Sequence, residues 1–112
     1  MTDTIPFDDW KKLDLRAGRI LSAEDIPNAD KLYRLEVDVG EEKPRILVAG
    51  VKKHYTKDEL KDKPCVVFCN LEPRVMKGIK SESMILAAVS EDESEIVLIE
   101  PEKDIEVGAR IR

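Results

Sequence analysis

Three basic side chains recur at every third position of one polar stretch of the sequence, at Arg74, Lys77 and Lys80. Glu72 is the one acid between Asn70 and Ser81, which themselves add uncharged hydrogen-bonding groups. Arginine forks and lysine point charges suit phosphate oxygens, so this stretch favours a surface that binds a phosphate backbone. A solvated loop of a heavily charged protein would have the same composition, and composition alone does not separate the two interpretations.

Residues able to carry out catalysis are few. The single histidine, His54, follows two lysines, which indicates a surface residue rather than a general base. The stretch Gly78–Ser81 ends like a phosphate loop but lacks its earlier glycine and its spacing. Neither a Gly-x-Ser-x-Gly elbow nor a Rossmann glycine series occurs in the sequence. We therefore predict no catalytic residue, no enzymatic activity and no cofactor.

The two cysteines, Cys65 and Cys69, lie four residues apart in an apolar run. On a strand they would face the same side about 13 Å apart, which is too far for a disulfide bond. A zinc site needs about four ligands, and the chain offers a single histidine beside them. We predict two reduced thiols in the core and no bound metal.

The chain has 112 residues, which is enough for one domain and not for two. Hydrophobic residues make up 42% of it, too many for a disordered chain, and charged residues make up 38%. The net charge of −5 is localised, because residues 91–106 hold eight acids against Lys103 alone. A separate basic face is therefore compatible with the acidic total, and we expect the acidic segment to point away from it.

No targeting or membrane segment is predicted. Residues 1–9 contain three acids and no base, unlike the start of a secretory signal. The longest apolar stretches, Ile46–Val51 and Met84–Val89, have the length of strands and are too short to span a bilayer. These observations predict a cytoplasmic protein without a membrane partner.

Hydrophobic patterning predicts many short strands. Tyr33–Val39 is the clearest of them, because its apolar and charged residues alternate. Gly18 suggests a bulge or bend within the first strand. Between the strands, Asn70–Ser83 is predicted to be a loop and Ser90–Ser94 a turn. The other predicted strands are Leu15–Ala23, Arg45–Ala49, Cys65–Cys69, Met84–Val89, Glu95–Ile99 and Val107–Ile111.

Short helical turns are predicted at two places. One covers Phe7–Lys12, and Thr56 with Glu59 fits a capping box that begins the other. The second helix falls between the third and fourth strands, which is the layout of an oligonucleotide/oligosaccharide-binding (OB) barrel. We predict an all-β, five-stranded OB-fold barrel with short helical turns and N- and C-terminal extensions, as a single domain over residues 1–112. An SH3-like barrel or a small sandwich would also fit the pattern.

Aromatic residues are scarce: Phe7, Trp10, Tyr33, Tyr55 and Phe68. Tyr33 and Phe68 have the setting of core residues. Proteins that bind single-stranded nucleic acid generally stack its bases on aromatic side chains, and this chain has few to offer. Structured RNA, recognised by its backbone and shape, is the better match.

At the basic stretch the sequence resembles the tRNA-binding domain family. That family includes the C-terminal domain of methionyl-tRNA synthetase, a stand-alone bacterial tRNA-binding protein and the endothelial-monocyte-activating polypeptide. The resemblance is carried by residues 70–88, Asn-Leu-Glu-Pro-Arg-Val-Met-Lys-Gly-Ile-Lys-Ser-Glu-Ser-Met-Ile-Leu-Ala-Ala. Four further pieces match in family order: Phe7–Trp10, Leu13–Gly18, Ala29–Leu32 and Val48–Val51.

The resemblance implies an OB barrel that grips the outer corner of folded tRNA without choosing its sequence. Matched residue by residue, it implies a tRNA-binding set to which the basic stretch adds two lysines: Lys31, Asn70, Arg74, Lys77, Lys80, Ser81 and Met84. The family usually has glycine where Ser83 stands, and serine would be strained there if the backbone had a positive φ.

The resemblance also implies the biological setting. The chain looks like a stand-alone tRNA-binding protein or the detached small chain of a methionyl-tRNA synthetase, with tRNA and that synthetase as partners. The family often dimerises through its terminal extensions, so a homodimer is expected. Apolar residues near both ends would join it, unless they cap the chain's own core: Phe7, Trp10, Ile105, Val107 and Ile111.

Two alternative functions stay open. A peptide-binding export chaperone of the CsaA type shares the barrel, although Ala29–Leu32 favours the tRNA-binding branch because the chaperone branch departs from it there. An adaptor that docks onto a synthetase through the acidic segment 91–106 is the other alternative, and it is compatible with tRNA binding.

Overall fold

Residues 2–112, which the computed structural model describes, form nine strands and two short helices. In chain order the elements are α1 (Phe7–Trp10), β1 (Leu15–Asp25), β2 (Tyr33–Asp38), β3 (Arg45–Ala49), α2 (Lys57–Leu60), β4 (Pro64–Phe68), β5 (Arg74–Met76), β6 (Ile79–Ser81), β7 (Met84–Ile85), β8 (Ala87–Val89) and β9 (Ile96–Leu98). No helix in this part of the chain is long and apolar enough to cross a membrane.

Five strands form one antiparallel sheet in the order β3-β2-β1-β4-β7. The two edges of this sheet approach each other, because β3 lies against β6 and β7. The backbone N–H of Glu82 donates to the carbonyl of Ile46 at 2.9 Å across that seam. The sheet is therefore a nearly closed barrel, and α2 lies between β3 and β4. This architecture confirms the predicted all-β OB fold.

The barrel interior is filled by the inward side of strands whose residues alternate. In β2 the side chains of Tyr33, Leu35 and Val37 are buried, and the charged residues between them are not. Leu47 of β3 and Leu60 of α2 are fully buried against them. Each buried aliphatic side chain of this kind contributes about 1.5–3 kcal/mol, so the core supplies the main drive for folding.

Both cysteines lie in the core as free thiols, as predicted. Burial raises the pKa of the Cys65 thiol to about 12, and burial also raises the pKa of Cys69. The thiolate is the reactive form of cysteine, so both side chains are inert at neutral pH. Phe68 is half-buried between them, so its predicted place in the core is only partly correct.

Strand β1 pairs with two neighbours, with β4 over Leu15–Arg19 and with β2 over Arg19–Asp25. The predicted bulge at Gly18 is wrong, because the register shift falls between Ile20 and Ser22. Gly18 instead lies where the strands pack closely. A Cβ atom there would lie 3.1 Å from the carbonyl oxygen of Asp38 and 3.3 Å from Cγ2 of Val67.

Helix α2 begins at the predicted capping box. The backbone N–H of Glu59 donates to Oγ1 of Thr56 at 3.2 Å, and the Glu59 carboxylate accepts from the Thr56 N–H at 2.8 Å. Leu60 then turns its side chain into the core. The first helical turn is present at Phe7–Trp10 and is slightly shorter than predicted.

Three predicted elements differ from the structure. The loop predicted at Asn70–Ser83 contains a two-stranded hairpin, β5–β6. The strand predicted at Met84–Val89 is divided at Leu86, so that β7 pairs with β4 while β8 pairs with β9 around the predicted turn. The final strand predicted at Val107–Ile111 begins instead with a turn at Val107 and Gly108, and a single bridge follows, between Arg16 and Arg110.

The C-terminal end of the chain is fastened to the start of β1. Backbone N–H groups of Ala17 and Ile111 donate to the carbonyls of Ala109 and Leu15, both at 2.8 Å. Arg110 extends this attachment, because its Nε atom lies 3.2 Å from Oδ1 of Asp14. The C-terminal extension is thus packed on the barrel, whereas Ile5 and Phe7 of the N-terminal extension are exposed.

Candidate nucleic-acid interface

The β5–β6 hairpin carries most of the predicted binding residues. Its turn consists of Lys77 and Gly78, with φ values of 51° and 78°. A two-residue turn with both φ values positive is the type I′ turn, whose twist matches that of the strands it connects. Lys77 therefore stands at the exposed tip of the hairpin.

The pairing of the hairpin separates two of the predicted cations. Arg74 pairs with Ser81, and Val75 pairs with Lys80. Directly opposed residues of an antiparallel pair share a face, and successive residues alternate. Arg74 and Lys80 therefore lie on opposite faces of the hairpin.

The face of Arg74 borders a cavity of 150 Å³ that we name the hairpin cavity. Met84 is 44% exposed there, so it is not the core residue that an apolar strand position would suggest. The lining residues are Val48, Leu71, Glu72, Arg74, Met76, Ser81, Ser83 and Met84. Three of the predicted binding residues, Arg74, Ser81 and Met84, thus meet at one place.

Lys80 faces a different cavity of 720 Å³. Three carboxylates, those of Glu41, Glu42 and Glu82, share this cavity with it. They weaken the attraction of this surface for a phosphate group. The structure therefore does not bring Lys80 together with Arg74.

Ser81 is buried and uses its hydroxyl within the protein. Its Oγ accepts from the backbone N–H of Val48 at 3.0 Å and donates to the carbonyl of Ser83 at 3.1 Å. These bonds attach the base of the hairpin to β3. The geometry therefore gives Ser81 a positioning role beneath the surface.

Ser83 does not adopt a positive φ, so the strain considered for a serine in place of glycine is absent. Its hydroxyl accepts from Nη1 of Arg45 at 2.8 Å, and the same nitrogen donates to the carbonyl of Cys69 at 2.6 Å. Arg45 also holds the Glu41 carboxylate through two hydrogen bonds of 2.8 and 2.9 Å. These contacts fix both ends of the segment that carries the hairpin.

The ion pairs around Arg45 continue toward the chain termini. Arg16 bridges Glu41 and Asp14, whose carboxylate also pairs with Arg110. The hydrogen bond from Arg45 lowers the pKa of Glu41, and the hydrogen bond from Arg16 lowers the pKa of Asp14. Both carboxylates are therefore held ionised in the folded protein.

Asn70 uses both ends of its amide on the N-terminal segment. Its Oδ1 accepts from the N–H of Asp14 at 2.7 Å, and its Nδ2 donates to the carbonyl of Lys12 at 2.7 Å. An RNA contact would have to displace one of these bonds. Asn70 therefore has a structural task in addition to the predicted one.

Lys31 lies in the loop between β1 and β2 and borders a cavity of 600 Å³ that we name the loop cavity. The cavity is lined by Lys31, Gly50, Lys53, His54, Val89, Glu93, Ser94 and Ile96. Val48 of the hairpin cavity and Gly50 of the loop cavity are two residues apart along one strand direction, about 7 Å. Each cavity is therefore lined by one residue at or just beyond the end of β3.

This placement matches the way OB barrels bind oligonucleotides. Such barrels use the face of their second and third strands, with the loop between strands one and two and the loop between strands four and five. Lys31 lies in the first of these loops, and Arg74 and Lys77 lie in the connection that follows β4. Lys31, Arg74 and Lys77 thus lie in the two loops that border this binding face, whereas Lys80 lies on the other face of the hairpin. We call the edge formed by Lys31, Arg74 and Lys77 the rim.

The cations of this rim are not neutralised by neighbours. Elsewhere Lys52 and Lys57 both pair with Asp25, and Arg34 pairs with Glu24. Within residues 2–112, no carboxylate forms an ion pair with any of the predicted cations Lys31, Arg74, Lys77 and Lys80. Their charges are available to an anionic ligand.

Two residues of the loop cavity were missed by the sequence analysis. Lys53 is exposed and His54 is half-buried beside Lys31. The basic run Lys52–His54 after the third strand could have indicated a binding surface. Its proximity to the β1–β2 loop could not be predicted, because that loop lies about 20 residues earlier in the sequence. Lys53 is a further candidate phosphate ligand.

The acidic segment is only partly remote from the rim. Glu100, Glu102 and Asp104 line a separate cavity of 180 Å³ beside Pro64, the first residue of β4. Phe68, the last residue of β4, pairs with Met84, and the strand between the two ends is about 13 Å long. Glu93, however, lines the loop cavity with Lys31, so the expectation that the whole acidic segment points away is wrong.

Chemistry beyond binding finds little support in the described residues. Residues 2–112 contain no group of three or more His, Cys, Asp or Glu side chains arranged to hold a metal ion. His54 borders a second cavity of 470 Å³ with Lys52 and Lys57, whose ammonium groups are already paired with Asp25.

Comparison with known families matches residues 15–110 to the putative tRNA-binding domain. The chain belongs to this family. The match covers β1, the β1–β2 loop, the hairpin and the C-terminal segment, and so includes every element that borders the two cavities.

Relatives of this tRNA-binding domain include much longer proteins. The chain is 49% identical over 108 residues to the methionine–tRNA ligase of Thermococcus onnurineus, a match that covers 96% of this chain and 14% of the ligase. The tRNA-binding domain therefore spans about one seventh of the length of that curated relative.

Solved structures similar to the tRNA-binding domain cover nearly its whole length. A protein related to methionyl-tRNA synthetase from Pyrococcus horikoshii has a TM-score of 0.90 and 30% identity, covering 99% of this chain and 100% of that one. The chaperone CsaA from Bacillus anthracis has a TM-score of 0.87 and 32% identity, covering 98% and 100%.

Proposed function

We propose that this chain is a non-catalytic tRNA-binding module that grips folded tRNA by its sugar–phosphate backbone, independently of sequence. The observation that carries the proposal is the set of unpaired cations on one rim, Lys31, Arg74 and Lys77, within a chain of the tRNA-binding domain family. Phosphate contacts position a nucleic acid without reading its bases. Scarce aromatic residues argue against a general single-strand binder.

Fluorescence titration of mixed tRNA at several salt concentrations tests this function. Three phosphate contacts give a slope of log affinity against log salt of about −2 to −3. Single-stranded and duplex RNA of matched length serve as controls and are expected to bind more weakly. Undetectable tRNA binding at low salt would contradict the proposal.

The module is proposed to serve a methionine–tRNA ligase. Its long relatives carry that name, and this chain matches one seventh of their length. Holding tRNA near an active site raises its local concentration without adding a catalytic contact. Addition of the module to a ligase body that lacks one is expected to lower the KM for tRNA and leave kcat unchanged. We place this role in the cytoplasm, which cell fractionation would test.

A homodimer is part of the same proposal. Ile5, Phe7 and Ile105 are 66%, 70% and 55% exposed, so apolar surface is available near both ends of the chain. The other expected contacts, Trp10, Val107 and Ile111, are half-buried on the barrel, so they also serve the chain's own packing. Light scattering that gives the mass of one chain would exclude the dimer.

Binding of unfolded peptide is the second candidate function. It is favoured by the similarity to CsaA along the whole of that chaperone. The free cations of the rim have no evident use in holding an apolar peptide. A pull-down in which immobilised protein captures unfolded polypeptide but not tRNA would reverse the order of the two candidates.

A further inference from the structure

Phosphate binding does not account for the hairpin cavity. Its walls include the thioethers of Met76 and Met84 and the aliphatic side chain of Val48. Glu72 also lines it, and a carboxylate would repel a phosphate group. The cavity therefore has the composition of a site for an apolar group that carries hydrogen-bond donors.

The volume limits what such a group can be. The hairpin cavity measures 150 Å³. An apolar cavity of about 150 Å³ holds one benzene-sized ring. The volume of the hairpin cavity is therefore sufficient for a flat aromatic ring.

We propose that the hairpin cavity receives one unstacked base of the bound tRNA, between Arg74 and the two methionines. This inference rests on the proposed tRNA binding and adds a base site to a backbone interface. Arg74 belongs to both, because it lines the cavity and is also exposed to solvent.

The side chains of the cavity replace the aromatic platform that the chain lacks. Methionine sulfur makes favourable contacts with aromatic rings, and a guanidinium plane stacks on a base. Met84 is 44% exposed, so a base can reach it without rearrangement of the core. Glu72 accepts a hydrogen bond from an N–H group on the base edge, as carboxylates do from exocyclic amines.

The methionines also supply a direct test. The chain has three methionines, of which Met76 and Met84 line the cavity. Protein labelled with ¹³C at the methionine methyl groups is titrated with bulk tRNA and followed by NMR. A base in the cavity shifts the methyl protons of Met76 and Met84 upfield through its ring current, and the same titration of the Met84→Ala variant assigns the two signals.

The outcomes separate this inference from the proposed function. No binding in the parallel fluorescence titration would contradict tRNA binding itself. Saturable binding in which the methyl signals of neither Met76 nor Met84 move upfield would leave the function intact and overturn the base site. Displacement of the bound tRNA signal by an unfolded polypeptide that occupies the same methyls would assign the cavity to peptide instead.

A variant pair gives the energetic counterpart. Met84→Ala is expected to weaken tRNA binding about two- to tenfold with an unchanged salt slope, because no phosphate contact is lost. Val97→Ala removes a comparably exposed apolar side chain from β9 and is the matched control. Equal affinities of the two variants would overturn the base site.

Discussion

The side chains of the binding rim differ in what they already bind. Ser81 and Asn70 spend their polar groups inside the protein, whereas Lys31 and Lys77 have no ionic partner among the described residues. Removal of the first kind disturbs the structure, and removal of the second kind removes charge alone. Mutations at the two kinds of position should therefore have separable effects.

Lys77→Asn tests the second kind most cleanly. Asparagine tolerates the positive φ of this position, so the turn is retained while one charge is lost. We expect the magnitude of the salt slope for tRNA to fall by about 0.7–0.9, the share of one phosphate contact. Lys103→Asn, beside the acidic cavity, is the control and should leave the slope unchanged.

Residue types were the part of the site that the sequence predicted best. Arg74 and Lys77 could be proposed from their own chemistry as phosphate ligands, and Met84 could be proposed only from the family resemblance. The opposite facing of Lys80 could not be predicted, since it depends on a strand register that three-residue strands do not reveal. Lys53 was missed for a related reason, because its neighbour Lys31 is brought to it by the fold.

At the level of elements, the hairpin is a small separate sheet attached to the barrel. It is joined to β3 through Ser81 and the two residues that follow it, and β5 and β6 pair only with each other. A mutation in its turn should therefore disturb the hairpin while the barrel stays folded.

Gly78→Val tests this independence. An added Cβ would meet no atom within 4 Å, so the strain comes only from a branched side chain at a φ of 78°. The expected cost is about 1–2 kcal/mol, confined to the hairpin. We expect faster hydrogen exchange at 74–81 and weaker tRNA binding at an unchanged melting temperature. Gly78→Asn should behave like the parent, and an equal loss in both variants would contradict this explanation.

Periodicity predicted the long elements and failed at the short ones. Tyr33–Asp38 alternates over six residues, and the capping box at Thr56 is a local signal, so both were predictable. The break at Leu86 falls inside a continuous apolar run, so the sequence does not indicate it. It is visible only because β7 pairs with β4 whereas β8 pairs with β9. The conformation of the C-terminal segment likewise depends on its hydrogen bonds to β1, which its own sequence does not indicate.

Over the whole molecule, a chain of ion pairs links the termini to the hairpin. It runs from Arg110 through Asp14, Arg16 and Glu41 to Arg45, which holds the ends of the hairpin segment. Hydrogen bonds to charged groups contribute about 1.5–3 kcal/mol when buried, and exposed ion pairs such as Arg110–Asp14 contribute about 0–1 kcal/mol. Loss of one of these ion pairs should therefore lower the free energy of unfolding of the whole protein.

A fall in pH should weaken this series of ion pairs before it weakens the hydrophobic core. The folded pKa values of Glu41 and Asp14 are lowered from 4.5 and 3.8, so their stabilisation is complete above these values and is lost as the pH falls through the lower folded ones. Glu41→Gln is expected to cost about 1–2 kcal/mol at pH 7 and to flatten the acid dependence in urea unfolding. Glu42→Gln, the exposed neighbour, is the control, and identical pH profiles for both would contradict the assignment.

The distribution of charge has a kinetic consequence. The acidic groups beside Pro64 are about 13 Å along β4 from Met84, which exceeds a screening length of about 8 Å at physiological salt. At long range, a tRNA is not attracted electrostatically, because the protein has a net charge of −5. A tRNA in contact with the rim interacts with cations that have few acidic neighbours. Stopped-flow mixing should therefore show an association rate constant that changes little with salt and a dissociation rate constant that carries most of the salt dependence. The affinity for tRNA is then determined by slow dissociation after contact and not by electrostatic attraction before it.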